Sequence, residues 1–214
     1  MAAQLLDILL MSLAVSGSAV LLSSLMGIPL GAWLGLNHFA GKRTIIAVIH
    51  TGMAMPPVVI GLLIYLLLSR SGPLGDLGWL FTPQAMIVAQ TILDLPFVIG
   101  ITMAAVSSVS TDLQWQLRSL GASSTQVQWA VLREARSGML LATATAFGRS
   151  LSEVGAVWLV GGNIESQTRV LTTAIVLETG KGNFALALSL GALLLGIALA
   201  INFAIIRYQH RLAP

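Results

Sequence analysis

Three charged residues lie inside otherwise apolar stretches of the sequence: Asp94, Arg149 and Glu153. A charge left facing hydrocarbon costs at least about 2.5 to 3.5 kcal/mol, so such residues turn to a protein interior or to a wet cavity. Arg149 and Glu153 are four residues apart, a spacing that brings them together on one face of a continuous helix. We therefore predict an Arg149–Glu153 pair that Asp94 reaches from a neighbouring helix. Such a cluster serves either as a brace between helices or as part of a pathway.

Motifs for catalysis and nucleotide binding do not occur in the chain. His38, His50 and His210 have no motif that places them beside a serine, and neither H-E-x-x-H nor G-x-S-x-G is present. The phosphate-binding stretch G-x-x-x-x-G-K-[ST] is also missing, and there are no cysteines to act as thiolate ligands. We expect no enzymatic activity, no metal and no cofactor in this chain, so any dependence on ATP must come from another subunit.

The elements that position the three charges are expected to be membrane helices. The 214 residues are 56% hydrophobic and 9% charged, whereas soluble domains are about 25% charged. A helix needs about 20 apolar residues to cross a bilayer. Five apolar stretches are long enough: 8–36, 44–68, 83–106, 138–160 and 183–206. We predict an all-α polytopic membrane protein with about five transmembrane helices, forming one domain over residues 1–214.

Basic residues predict the orientation of the chain. Seven of them lie in the loop 37–43, the segment 111–137 and the C-terminus, against three in the segments on the other side. Because cytoplasmic loops carry an excess of Lys and Arg, we expect the N-terminus outside and the C-terminus in the cytoplasm. A sixth or broken helix would change this topology. The net charge of +3 is thus a signal of orientation and does not imply nucleic acid.

Prolines and glycines mark special positions within the apolar stretches. Prolines fall in three of them: Pro29, Pro56 with Pro57, and Pro96. They predict kinks, which either serve helix packing or open a translocation path. A row of glycines spaced four apart lies in the first stretch: Gly27, Gly31 and Gly35. These glycines form a smooth face that allows another helix to approach closely.

The polar segment 111–137 is predicted to hold two short helices around a glycine corner. One apolar stripe runs along the first of them: Leu113, Leu117 and Leu120. Gly121 suits a left-handed helix end, and Ser123 with Gln126 has the spacing of a capping box for the second helix. Such a pair of short helices, projecting from the membrane domain, is suited to docking into a groove on a soluble partner. An amphipathic hairpin lying on lipid headgroups is the alternative.

This segment resembles the EAA loop of ABC importer permeases, in which a short coupling helix around a glycine contacts the ATPase subunit. The residues that match the pattern are Leu120, Gly121, Ala122, Ser123 and Val131. The acidic and alanine positions that give the loop its name are instead Trp115, Gln116 and Leu117, and Glu134 replaces the closing proline.

Other stretches are similar to the signature of tungstate permeases and, more loosely, of molybdate permeases. They comprise residues 55–61, 72–75, 148–157, 161–164 and 168–175. The resemblance implies a type I ABC importer permease fold in a prokaryotic inner membrane. It also implies a homodimer, a pair of ATPase subunits that use ATP and Mg, and an extracytoplasmic binding protein that delivers an oxyanion. Alternatives are a permease for sulfate or an amino acid, and a stand-alone channel or secondary transporter.

For an oxyanion, hydrogen-bond donors and positive charge are expected along the route. Donors at the presumed outer mouth are Asn163, Thr168, Arg169, Thr172 and Thr173. Arg149 would supply a cation midway. Arg169 has two further interpretations, as a contact to the binding protein or as a solvated loop residue.

Overall fold

The computed structural model describes residues 2–212, which form helices joined by short loops, with no strand in that range. The helices are α1 Ala2–Leu36, α2 Lys42–Ala54, α3 Pro57–Leu68, α4 Pro83–Ser107, α5 Thr111–Ser119, α6 Ser124–Glu134, α7 Arg136–Ser152, α8 Gly155–Gly161, α9 Leu171–Gly180 and α10 Phe184–Leu212. A single 3₁₀ turn, Gly75–Leu77, precedes α4. The all-α prediction is confirmed. The predicted domain 1–214 also includes Met1, Ala213 and Pro214, which lie outside the described residues.

Within the described range, three helices are long and apolar enough to cross a bilayer as single elements: Gln4–Leu36, Pro83–Ser107 and Phe184–Ile205. The stretch predicted at 44–68 consists of α2 and α3, which bend by 95° at Met55 and Pro56. The stretch predicted at 138–160 is also divided, because α7 ends at Ser152 and α8 begins at Gly155. Two of the five predicted spans are therefore broken helices.

The prolines differ in their effect. α1 continues through Pro29 and α4 through Pro96, so neither proline ends its helix. Pro56 and Pro57 do end one helix and start the next, because proline lacks the amide donor that a continuing helix requires. Pro96 instead contacts α2, where a Cβ added at Gly52 would lie 2.9 Å from the Pro96 ring.

The glycine face of α1 packs against α4, as predicted. A Cβ added at Gly27 would lie 2.8 Å from the Val98 side chain, and one added at Gly31 would lie 2.6 Å from the Ile99 carbonyl oxygen. Gly35 has the same relationship with Val106, at 2.7 Å. Since real Cβ atoms do not approach this closely, the glycines set the distance between the two helices.

α6 is anchored to the C-terminal ends of α1 and α4. Val131 of α6 is 1% exposed and packs in one cluster with Ala32, Val106 and Ala135. At the opposite end of the protomer, the Phe81 amide donates to the Val160 carbonyl oxygen at 2.8 Å. The fold thus separates an end that carries α5 and α6 from an end that carries the loops before α4 and after α8.

The region 161–182, between the fourth and fifth predicted spans, contains the apolar helix α9. Leu171 and Ala174 of α9 are buried and pack against Leu190 of α10. The amide of Leu171 donates to the Ser12 hydroxyl of α1 at 2.8 Å. α9 is therefore an integral element that joins α1 to α10.

Candidate functional site

The break between α7 and α8 reorients Glu153. Its backbone is extended, with φ −70° and ψ 131°, and its carboxylate Oε1 accepts from the Ala156 amide at 3.0 Å. Glu153 therefore caps the start of α8. The predicted Arg149–Glu153 pair is wrong, because the helix that would have aligned the two residues ends at Ser152.

Asp94 lies on α4 and is 1% exposed. The neighbouring Gln90 donates from Nε2 to the Ser150 carbonyl oxygen at 2.8 Å, which ties α4 to α7. The predicted charges meet at one closely packed site that is too tight to admit a water molecule, and its lining is Gln90, Leu93, Asp94, Arg149, Ser150 and Glu153. The prediction that Asp94 lies near Arg149 across two helices is confirmed in position. However, within residues 2–212 Arg149 forms an ion pair with neither carboxylate.

An aromatic ring holds Arg149. Its guanidinium carbon lies 4.5 Å from the ring centroid of Phe97, close enough for a cation–π interaction. The nitrogens Nε and Nη2 are buried without hydrogen-bond partners. The guanidinium thus has two donors that no carboxylate in residues 2–212 occupies, and an anion could bind them once the site opens. No sequence motif marks Phe97, although it is the aromatic residue of α4 and lies three positions after Asp94.

The hydroxyls expected at the outer mouth are engaged by the chain itself. Thr168 donates to the Gly161 carbonyl oxygen and accepts from the Ile164 amide at 2.9 Å. Thr172 donates to the Glu153 carbonyl oxygen at 2.8 Å, and Thr173 accepts from the amide just before α9 at 3.1 Å. In this conformation, these threonines hold the loop after α8 in place and offer no free donor.

Asn163 and Arg169 remain only partly satisfied. Asn163 is 9% exposed, adopts a left-handed backbone with φ 50° and leaves its Oδ1 without a partner. A non-glycine residue in this conformation is uncommon, although asparagine tolerates it better than most. The Arg169 Nη1 lies 3.6 Å from Glu165 Oε2, and its Nε is buried without a partner. Arg169 faces a large cavity rather than the Arg149 cluster.

The helix–glycine–helix corner has the predicted geometry. Gly121 has φ 85°, and Ser123 exchanges hydrogen bonds with Gln126 in a capping box, with distances of 2.7 and 3.4 Å. Leu120 is 85% exposed at the tip, whereas Val131 is buried against α1 and α4. Leu120 to Ser123 therefore project from the protomer, while Val131 anchors the projection.

Residues 27–214 match the family described as the binding-protein-dependent transport system inner membrane component. The chain belongs to this family. Among its relatives is a probable anion ABC transporter permease protein of Haloferax volcanii, 46% identical over 97% of this chain and 91% of the relative. The tungstate uptake system permease protein TupB of Peptoclostridium acidaminophilum is 38% identical, with the same two coverages of 97% and 91%.

The fold of this transport component is also that of a solved importer. A chain from inward-facing structures of the MetNI methionine ABC transporter superposes with a TM-score of 0.81, covering 100% of this chain and 98% of that one. At 20% identity the likeness shows the fold alone. It confirms the type I permease architecture predicted from the sequence.

Proposed function

We propose that this chain is the membrane-spanning permease subunit of an ATP-driven importer for an oxyanion, and that the oxyanion is tungstate or molybdate. The observation that carries the proposal is the state of Arg149, a cation between apolar helices that has, within residues 2–212, two unpartnered donor nitrogens and no ion pair with a carboxylate. The names of the relatives from Haloferax volcanii and Peptoclostridium acidaminophilum support an anion, and the second supports tungstate.

The neighbouring carboxylates suit transport rather than storage of the anion. A guanidinium binds tetrahedral oxyanions through paired N–H donors. Asp94 and Glu153 line the same site as Arg149 and weaken the binding of any anion there. A solute that crosses a membrane must bind well enough to enter and loosely enough to leave. The cluster therefore acts as a passing site.

The α5–α6 corner is the contact to the ATPase subunits in this proposal. Its exposed side chains are large: Trp115 is 66%, Leu120 85% and Trp129 70% exposed. Exposed aromatic residues on a projecting helix pair are typical anchors of a protein interface. No nucleotide-binding loop occurs in this chain, so a partner pair would hydrolyse ATP with Mg.

A second copy of the chain completes the pathway. α10 leaves a row of large apolar side chains exposed, including Leu188, Leu195 and Leu199 at 72 to 74%. Lipid and a partner copy would share this surface. With the corner at 111–137 in the cytoplasm, the N-terminus faces outward, where an extracytoplasmic binding protein would dock. Closure of the ATPase pair would then move the two α5–α6 corners together and open the translocation path between the two copies to the outside.

Reconstituted transport complexes test the proposal. The permease is co-purified with its neighbouring ATPase and binding protein, and ATP hydrolysis is measured against tungstate, molybdate and sulfate. We expect stimulation at the lowest concentration by tungstate or molybdate. Arg149→Gln should lower uptake at least about tenfold, because it removes a charge-assisted contact. The matched control is Arg70→Gln at an exposed loop residue.

The possible outcomes separate the alternatives. Stimulation by sulfate alone would keep the transporter and discard tungstate and molybdate. Full uptake by the Arg149→Gln protein would remove the cation from the pathway. A permease that associates with no ATPase, yet conducts anions by itself, would point to a channel.

A further inference from the structure

A cavity of about 550 Å³ opens at the end of the protomer that lies away from the α5–α6 corner. It lies between the first turns of α1, the loop 165–169, α9 and the first turns of α10. One wall is apolar and includes Leu5, Ile8, Met11 and Leu190. Its volume falls within the range of about 300 to 1,000 Å³ that is usual for ligand sites. The cavity is separate from the cluster around Arg149.

The polar groups on one part of the cavity rim already have hydrogen-bond partners within the chain. Lys181 Nζ donates to Glu178 Oε1 at 2.7 Å, and Asn183 donates to the other oxygen at 3.1 Å. The hydrogen bond from Lys181 lowers the pKa of Glu178 below its ordinary value. Glu178 and Lys181 thus form a neutral pair and leave no charge for a ligand.

Two other polar groups on the rim, Arg169 and Asp7, lack hydrogen-bond partners within residues 2–212 for some or all of their polar atoms. Arg169 Nε is buried with no hydrogen-bond partner, and its only ion pair, to Glu165, is long at 3.6 Å within the described residues. The other Glu165 oxygen accepts from Gln4 at 3.2 Å. Asp7 is exposed, and in the described part of the chain its carboxylate forms neither a hydrogen bond nor an ion pair. The rim therefore offers one cationic donor and one free carboxylate above an apolar wall.

The charges exclude the proposed substrate from this cavity. Asp7, Glu165 and Glu178 outnumber Arg169 and Lys181 in its lining. A dianion would meet a net negative rim. A ligand with one anionic group, one cationic group and an apolar body matches all three features.

We infer that this cavity binds a phospholipid with a zwitterionic headgroup, its phosphate on Arg169, its ammonium on Asp7 and its acyl chains along α1 and α10. The position agrees with this ligand, because the cavity lies at the ends of two membrane helices where lipid headgroups reside. Leu6 and Leu10 are 54% and 56% exposed beside it, a surface that acyl chains would cover.

A second copy of the chain fits this cavity less well. Interface cores between protein subunits are depleted of charged residues. Here the opening has the Asp7 carboxylate, which is unpaired among the described residues, and the buried Arg169 Nε, which lacks an acceptor. A primary ammonium also suits Asp7 better than a choline group, because only the ammonium donates hydrogen bonds.

Native mass spectrometry of the purified permease in detergent tests the inference. The probes are dioleoyl phosphatidylethanolamine, phosphatidylcholine and phosphatidylglycerol, each titrated separately and followed in parallel by thermal unfolding. We expect one phosphatidylethanolamine per protomer to be retained most strongly and to raise Tm. Arg169→Gln should weaken that binding about tenfold. Asp7→Asn should remove the preference for ethanolamine over choline.

Matched controls are Arg70→Gln and Asp76→Asn, which alter exposed charges in the loop before α4. Both should bind lipid as the unmodified protein does. Equal binding of the three lipids, or unchanged binding by the Arg169→Gln protein, would overturn the inference. A change of oligomeric state in that variant, without a change in lipid binding, would assign the cavity to a second copy. These measurements need no transport activity, so they are independent of the proposed function.

Discussion

Arg149 of α7 lies with its guanidinium carbon 4.5 Å from the ring centroid of Phe97 on α4. The contact joins the two helices that carry the buried polar cluster. A cation–π contact stabilises a partly desolvated cation by about 0.5 to 2 kcal/mol. Breaking a buried ion pair costs more, about 3 to 5 kcal/mol. An arginine held by a ring is therefore released to an anion more easily than one held by a carboxylate.

The first prediction concerns Phe97→Leu. Without the ring, Arg149 is free to move to the carboxylates of Asp94 or Glu153, so oxyanion uptake should fall several-fold. Stability should change by only about 1 to 2 kcal/mol. Phe97→Trp keeps an aromatic face and should restore uptake. Phe203→Leu, at a residue 64% exposed on α10, is the control. Normal uptake by the Phe97→Leu protein would show that the ring contact has no role in transport.

The second prediction concerns the spacing of α1 and α4. A Cβ at Gly31 would lie 2.6 Å from a backbone carbonyl oxygen, so Gly31→Ala forces the helices apart. We expect a loss of about 1 to 3 kcal/mol and a lower Tm in detergent. Gly17→Ala in the same helix meets nothing within 4 Å and should be neutral or slightly stabilising. Equal Tm values for the two variants would contradict the packing described here.

The glycine face of α1 and the α5–α6 corner could be predicted because each depends on residues that are close in sequence. The spacing of Gly27, Gly31 and Gly35 defines one helix face without knowledge of the partner helix. Ser123 and Gln126 are three residues apart, and the capping box forms within that turn. The corner at Gly121 requires only that a left-handed residue end a helix.

The polar cluster could not be predicted in the same way. No proline marks the end of α7, and the break at Glu153 depends on distant contacts. The Thr172 hydroxyl donates to the Glu153 carbonyl oxygen across 19 positions, and a Cβ at Gly155 would lie 2.6 Å from Val58 of α3. Helical periodicity assumes a continuous helix, and so it paired Arg149 with Glu153 wrongly.

The third prediction concerns Thr172→Val, which keeps the shape of the side chain and removes its hydroxyl. The Glu153 carbonyl oxygen then loses its donor, and stability should fall by about 1 kcal/mol. Amide hydrogen exchange should rise around residues 153–156. Thr179→Val is the control, because the Thr179 hydroxyl bonds only within its own helix, to the Ile175 carbonyl oxygen. Unchanged exchange in the Thr172→Val protein would mean that this bond does not hold the break.

The fourth prediction separates backbone strain from interface loss at the α5–α6 corner. Gly121 and Gly41 have nearly the same left-handed backbone, with φ 85° and 90°, and a Cβ at either meets nothing within 4 Å. A side chain there costs up to about 1 to 2 kcal/mol, and because the backbone and the new residue are alike, Gly121→Asp and Gly41→Asp should lose similar stability. Only Gly121 adjoins Leu120, the exposed tip of the corner.

If the corner contacts the ATPase, Gly121→Asp should abolish co-purification of the ATPase and ATP-driven uptake, whereas Gly41→Asp should retain both. Leu120→Asp removes the apolar tip without changing the backbone, so it should lower association by at least about tenfold at unchanged Tm. Membrane insertion should be normal in all three, because the helices that cross the bilayer are untouched. Retained association in both the Leu120→Asp and Gly121→Asp proteins would move the ATPase contact away from this corner.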